Sequence, residues 1–167
     1  MPKITTVDKL TARLYKLFSI RLRSVKEIHD YFKAKNYNLK IKGKEQISTS
    51  LINSVIQKLK EQKLLDDQEF AKAWVESRKR KKGPRVLKQE LFQKGIAREI
   101  IDEIMNSESG VKGEETAKKL LEKKSQRWKS LKQMEFRKKA HGFLLRRGFE
   151  YGIVKDLVEK YIKKRYN

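Results

Sequence analysis

Cysteine is absent from the 167 residues, so no disulfide, thiolate nucleophile or thiolate metal site can operate, and the chain suits a reducing interior. Histidine is nearly absent. His29 and His141 stand far apart, without an acid at zinc-ligand spacing, and both read as helix-surface or partly buried residues. Two prolines and eight glycines are too few for a turn-rich β fold. No apolar run approaches the roughly 20 residues that span a bilayer. The start, Met1-Pro2-Lys3-Ile4, lacks the uninterrupted apolar segment of a secretory signal. There is no Gly-rich phosphate loop followed by Lys-Ser/Thr, and Gly83-Pro84 does not resemble one. Asp66-Asp67 could suggest a metal, but the pair precedes Phe70 and Trp74, where carboxylates favour a helix start. Enzyme activity has no residues to rest on. The expectation is a non-enzymatic, cofactor-free, soluble cytoplasmic protein with no membrane partner.

What is abundant is positive charge. Forty-three Lys and Arg against 21 Asp and Glu leave a formal charge of +22 at pH 7, so polyanions are the first partners to consider. Hydrophobic residues make up 38% and mean hydropathy is −0.80, lean for one globular core but adequate for small helical bundles with solvated outer faces.

The apolar residues repeat themselves. Leu87, Leu91, Ile96, Ile100, Ile101 and Ile104 stand at the spacing of Ala140, Leu144, Phe149, Ile153, Val154 and Leu157. A weaker copy runs through Ile28, Phe32 and Tyr37 and resumes, after an insertion, at Leu51, Ile52 and Val55. Upstream of each lies an alanine-led apolar helix: Ala12 and Tyr15; Ala71, Trp74 and Val75; Ala117, Leu120 and Leu121. The pattern predicts an all-α chain of three tandem three-helix repeats in an elongated array that can curve.

Helix punctuation supports the division. Ser24 with Glu27, Asp66 with Glu69, and Ser130 with Gln133 have capping-box spacing, and Gly83-Pro84 places a proline where a first helical turn accepts it. Gly95 and Gly148 are expected to end the second helix of their repeats in a left-handed conformation, with Asn36 taking that place in the first. The repeats then run over 1–66, with a polar, lysine-rich loop insertion at 37–50, over 67–112, and over 113–167. Ser107-Glu108-Ser109-Gly110 breaks the pattern before Lys112.

Arg78-Lys79-Arg80-Lys81-Lys82, then Arg85 and Lys88, form a block with no acid between Glu76 and Glu90. A helix dipole accounts for one or two such cations, not seven, and an anionic partner would relieve their repulsion. Lys118, Lys119, Lys123, Lys124, Arg127 and Lys129 are more dispersed, and read either as a solvated face or as a contact surface. Arg146-Arg147 either complement a helix end or face a partner. Trp74 and Phe149 match Leu120 and Ile96 in the repeat and are expected in the core, whereas Trp128 is open to either role.

The order Leu64-Leu65-Asp66-Asp67, Phe70-Ala71, Trp74-Val75, Arg78, Lys82-Gly83-Pro84-Arg85, Glu90-Leu91, Lys94-Gly95-Ile96 resembles the RecX family, regulators of the bacterial RecA recombinase. Phe143-Leu144 followed by Arg146-Arg147-Gly148-Phe149 is similar to that family's C-terminal signature. The resemblance implies tandem three-helix repeats and a non-catalytic protein in DNA repair, DNA recombination and the SOS response. Such a protein would bind the helical groove of the RecA–DNA filament and suppress ATP hydrolysis, strand exchange and co-protease function. A monomer touching single- or double-stranded DNA through its basic surface is expected. Contact is assigned to Arg78, Arg80, Lys81, Lys82, Arg85 and Lys88 as the main electrostatic block, with Arg146 and Arg147 of the third repeat as further candidates. The alternative is a general basic helical nucleic-acid-binding protein without a recombinase partner. The insertion in the first repeat departs from the family pattern.

Overall fold

The computed structural model describes residues 6–107 and 113–166. The Met1-Pro2-Lys3-Ile4 start, the Glu108-Ser109-Gly110 break and the repeat boundary at Lys112 lie outside the described residues. Among those described there are nine α-helices and no strand. They are α1 (Thr6–Phe18), α2 (Val25–Ile41), α3 (Thr49–Glu61), α4 (Asp67–Arg78), α5 (Pro84–Gln93), α6 (Arg98–Asn106), α7 (Gly113–Ser125), α8 (Gln133–Arg146) and α9 (Tyr151–Tyr166). A 3-10 turn, Gln126–Trp128, links α7 to α8. Three helices per repeat is the expected all-α architecture.

The chain forms two compact units, Met1–Ala73 with Gln93–Ile100, and Trp74–Phe92 with Ile101–Asn167. In the first, Leu10, Leu14, Ile28, Phe32, Val55 and Leu59 anchor the core. Each side chain of this size stabilises by about 1.5–3 kcal/mol when fully buried. The alanine-led reading of α1 is out of register. Leu10, Thr11 and Leu14 turn inward and Ala12 and Tyr15 outward, because the inward stripe matches the larger apolar residues and Thr11 Oγ1 can donate to the Val7 carbonyl (2.8 Å).

The first repeat departs from expectation a second time. Asn36 does not end a helix: α2 continues to Ile41, so part of the predicted loop is helical, and Gly43 takes the left-handed position (φ 62°). Asn36 instead clasps the insertion, its Nδ2 donating to the Ile47 carbonyl (2.8 Å) and its Oδ1 accepting from the Ile47 N–H (2.9 Å). Ile47 thereby packs against the core, while Tyr37, an expected core landmark, is 66% exposed.

In the second unit, Ala117, Leu121, Phe136, Ala140, Leu144, Phe149, Val154 and Val158 are buried together. Phe136 stacks on Tyr161 (ring centroids 5.5 Å apart) and meets the edge of Trp128 (5.9 Å). Arg165 Nη2 donates to the carbonyls of Trp128 and Lys129 (2.7 and 2.8 Å), fastening the α7–α8 connection to the end of α9.

Capping explains the starts of α2, α3 and α4. Ser24 and Glu27 form the reciprocal box, Ser48 Oγ accepts from the Leu51 N–H, and Asp66 Oδ1 accepts from the N–H groups of Gln68 and Glu69. Pro84 is the first residue of α5. The Ser130–Gln133 box does not form. The Leu131 N–H bonds to the Trp128 carbonyl, which draws Ser130 into the preceding turn, and α8 opens at Gln133 behind Lys132 without a side-chain cap.

Each unit contains one joint of the same kind between neighbouring repeats. In the first, Ser24 Oγ donates to the Lys94 carbonyl (2.7 Å) beside Gly95 (φ 77°). In the second, the contact is made by peptide groups. The Gly83 N–H donates to the Arg147 carbonyl (2.7 Å) and the Arg85 N–H to the Gly148 carbonyl (3.2 Å), with Gly148 at φ 87°.

Candidate nucleic-acid interface

The joint at Gly83 and Gly148 decides which basic residues meet. It brings the turn between α4 and α5 against the C-terminal end of α8, and the Arg147 guanidinium donates from Nη1 to the Lys81 carbonyl (2.7 Å), 66 residues away in the chain. Lys81, Arg85 and Arg147 therefore share one face of the second unit. Arg80, Lys81, Arg85 and Arg146 are exposed or half-exposed, and no acid pairs with any of these four or with Arg147 among the described residues. Arg147 also lies over the Phe143 ring, 4.6 Å from its centroid.

The rest of the block is compensated, contrary to the reading of seven unopposed cations. Glu90, on α5, accepts from Trp74 Nε1 (3.0 Å), pairs with Lys82 through Oε1, and lies 3.6 Å from Arg78 Nε. The Arg78 guanidinium covers the Trp74 ring at 3.5 Å from its centroid. Lys79 pairs with Glu76 (2.5 Å) and Lys88 with Asp102 (2.8 Å). The acids flanking the block fold back onto it, a relation that linear spacing hides. Trp74 is thus half-buried beneath Arg78 rather than enclosed in the core, whereas Phe149 is buried as expected.

Among the third-repeat cations, Lys118, Lys119, Lys123, Arg127 and Lys129 reach solvent, and Lys119 pairs with Glu115 (2.7 Å). Lys124 lies over both Trp128 and Phe143 (5.8 Å to each centroid), so Trp128 is engaged in packing. His29 is exposed on α2, and His141 is half-buried beside Tyr151. No group of three or more His, Cys, Asp or Glu that could hold a metal occurs among the described residues. None of their helices is long and apolar enough to cross a membrane.

The first unit carries a marked electrostatic perturbation at Glu27. Burial opposes ionisation of Glu27, but hydrogen bonds from Arg21 (2.7 Å to each oxygen) and Lys94 (2.6 Å) outweigh it and hold the carboxyl at about 2. Asp67 goes the other way. Burial pushes its carboxyl up, although Oδ1 accepts from the Val25 N–H (2.9 Å). Both acids serve helix starts and the repeat joint.

Residues 66–105 match the model of the RecX second three-helix domain, and 113–158 that of the third. The regulatory protein RecX of Geobacillus sp. (strain WCH70) is 39% identical over 140 residues, 81% of this chain and 47% of that protein. The regulatory protein RecX of Bacillus subtilis (strain 168) is 34% identical over 156 residues, 92% of this chain and 55% of that protein. The chain spans about half the length of the curated relatives it matches. The crystal structure of RecX from Lactobacillus salivarius superposes with a TM-score of 0.71 at 24% identity, covering 92% of this chain and 95% of that one. Two successive domain models, sequence similarity across the repeats and a shared helical fold lead to one assignment: the chain belongs to the RecX family of regulatory proteins.

Proposed function

We propose that the chain regulates a RecA-type recombinase in the cytoplasm, as a monomer lying in the helical groove of the recombinase–DNA filament and restraining ATP hydrolysis, strand exchange and co-protease function. The observation that carries this reading is the face shared by Lys81, Arg85 and Arg147 across the repeat joint, with exposed Arg80 and Arg146 next to two of them in the chain, all five being cations without acid partners among the described residues. Phosphate contact there supplies sequence-independent affinity, and the surrounding helix surfaces supply discrimination for the recombinase. Such a division of labour needs no catalytic residue.

The test is recombinase ATPase on single-stranded DNA, with the DNA in large excess over this protein. Inhibition is expected to survive the excess, and inhibition that vanishes would favour the general nucleic-acid-binding alternative. Lys81→Gln with Arg85→Gln should weaken inhibition and flatten the salt dependence of DNA binding by about 0.7–0.9 log units per tenfold salt for each phosphate no longer neutralised. Lys82 is left in place because Glu90 would lose a partner. A folded double variant that inhibits like the parent at every salt concentration refutes the assignment.

A further inference from the structure

The helical extension of α2 creates a surface that the recombinase reading does not use. Lys33, Tyr37, Lys40 and Ile41 fall within about 100° of arc on α2 at roughly 3.6 residues per turn. Tyr37 is 66% exposed and Ile41 67%. Lys42 and Lys44 follow directly, in the loop that Asn36 clasps through Ile47. No acid occurs between Asp30 and Glu45, and Asp30 is held by Lys26 (2.6 Å). Among the described residues, no acid pairs with Lys33, Lys40, Lys42 or Lys44. On the adjoining side of the helix a groove of about 350 Å³ is lined by Tyr31, Ala34, Lys35, Asn38, Leu39 and Lys42. The segment lies outside the residues that match the family's domain models.

An aromatic ring left in water and surrounded by unpaired cations is chemically specific. Lysines alone would suit any polyanion, duplex or acidic surface. An apolar protein pocket would call for a broader hydrophobic patch than one tyrosine and one isoleucine. A ring flanked on its own helix by cations one turn away matches a strand whose phosphates and unpaired bases are offered together. We propose that the C-terminal half of α2, through Lys33, Tyr37 and Lys40, is a second binding surface, for single-stranded nucleic acid, with Tyr37 stacking on a base and the lysines on its phosphates. It belongs to the first compact unit and acts independently of the Lys81–Arg147 face.

The experiment uses the full chain bearing Lys81→Gln and Arg85→Gln, so that residual affinity reports on this surface. Three probes are compared: labelled oligothymidylate, a duplex of equal length, and vesicles of mixed phosphatidylserine and phosphatidylcholine. Tyr37→Ala should weaken oligothymidylate binding about tenfold, within the range set by removal of one stacked base, and leave duplex binding unchanged. Tyr37→Phe should bind like the parent. Lys33→Gln with Lys40→Gln should lower the salt slope on oligothymidylate by about 1.4, two single-strand phosphates' worth. The side chains reach solvent, so the helical circular dichroism should be unchanged. The proposal is overturned if the background variant binds no oligothymidylate. It is equally overturned if Tyr37→Ala binds like Tyr37→Phe, if it weakens strand and duplex alike, if the salt slope does not move, or if vesicle binding alone is abolished. None of these outcomes touches the ATPase test, so the two readings fail separately.

Discussion

Gly148 offers the sharpest test of how the second unit is built. Its φ of 87° already disfavours any side chain, by roughly 1–2 kcal/mol. Space makes the penalty larger. A Cβ at this position would lie 2.5 Å from the backbone nitrogen of Val86 and 2.6 Å from its Cγ2. The α5 start would have to retreat from the end of α8, which lengthens the Gly83-to-Arg147 and Arg85-to-Gly148 hydrogen bonds, each worth about 1 kcal/mol. Gly148→Ala should therefore cost about 3–4 kcal/mol, a large share of the roughly 5–15 kcal/mol typical of a folded protein. Gly43 supplies the control. It is also left-handed, at φ 62°, but nothing lies within 4 Å of its would-be Cβ. Gly43→Ala should thus cost only about 1–2 kcal/mol. Val86→Ala removes Cγ2 but not the backbone nitrogen, so adding it to Gly148→Ala should recover little. Urea denaturation followed by the helical circular dichroism signal measures all three. If Gly148→Ala costs no more than Gly43→Ala, the close approach of the two main chains is not holding the joint.

Two further outcomes follow from local chemistry. The folded-state pKa of Glu27 lies below its ordinary value, so its stabilisation is present above about 4.5 and disappears as pH falls towards about 2. Glu27→Gln should cost about 2 kcal/mol at neutral pH, allowing for solvent screening at the half-exposed Arg21, and the stability difference from the parent should shrink to nothing on acidification. A difference that stays constant with pH would show that the carboxylate charge contributes nothing. Lys63, beyond the end of α3, holds a left-handed φ of 56°. Lys63→Gly should raise stability by about 0.5–1 kcal/mol in the same urea titration, and a decrease would mean that the lysine side chain has a role its backbone conformation conceals.

Features governed by near neighbours in sequence are legible without the fold. Gly95 and Gly148 end helices left-handed, Ser24 and Asp66 cap, and Pro84 opens α5, because each depends on a few consecutive residues. Misreadings arise where a distant partner or a local competitor intervenes. Asn36 has the chemistry of a helix stop, yet its amide is claimed by Ile47 further along the chain. Ser130 has cap spacing but is absorbed by the turn after Trp128. In α1 a stripe beside Ala12 is more apolar, and burial follows it. The basic face is half legible. The block at 78–88 and the pair Arg146-Arg147 stand out in the chain, but their meeting depends on the joint, and the neutralisation of Arg78 and Lys82 depends on a carboxylate one helix later.

The joint between Gly83 and Gly148 is written in main-chain atoms, which every residue but proline supplies. Selection can therefore act on Lys81, Arg85 and Arg146 without loosening the contact beneath them. A change from Arg to Gln there alters the charge of the surface and leaves the hydrogen bonds in place. Ser24, which makes the corresponding bond in the first unit with its hydroxyl, has no such latitude. Surface charge and architecture are thus uncoupled in the second unit: single substitutions can reset the charge of this face at little risk to folding.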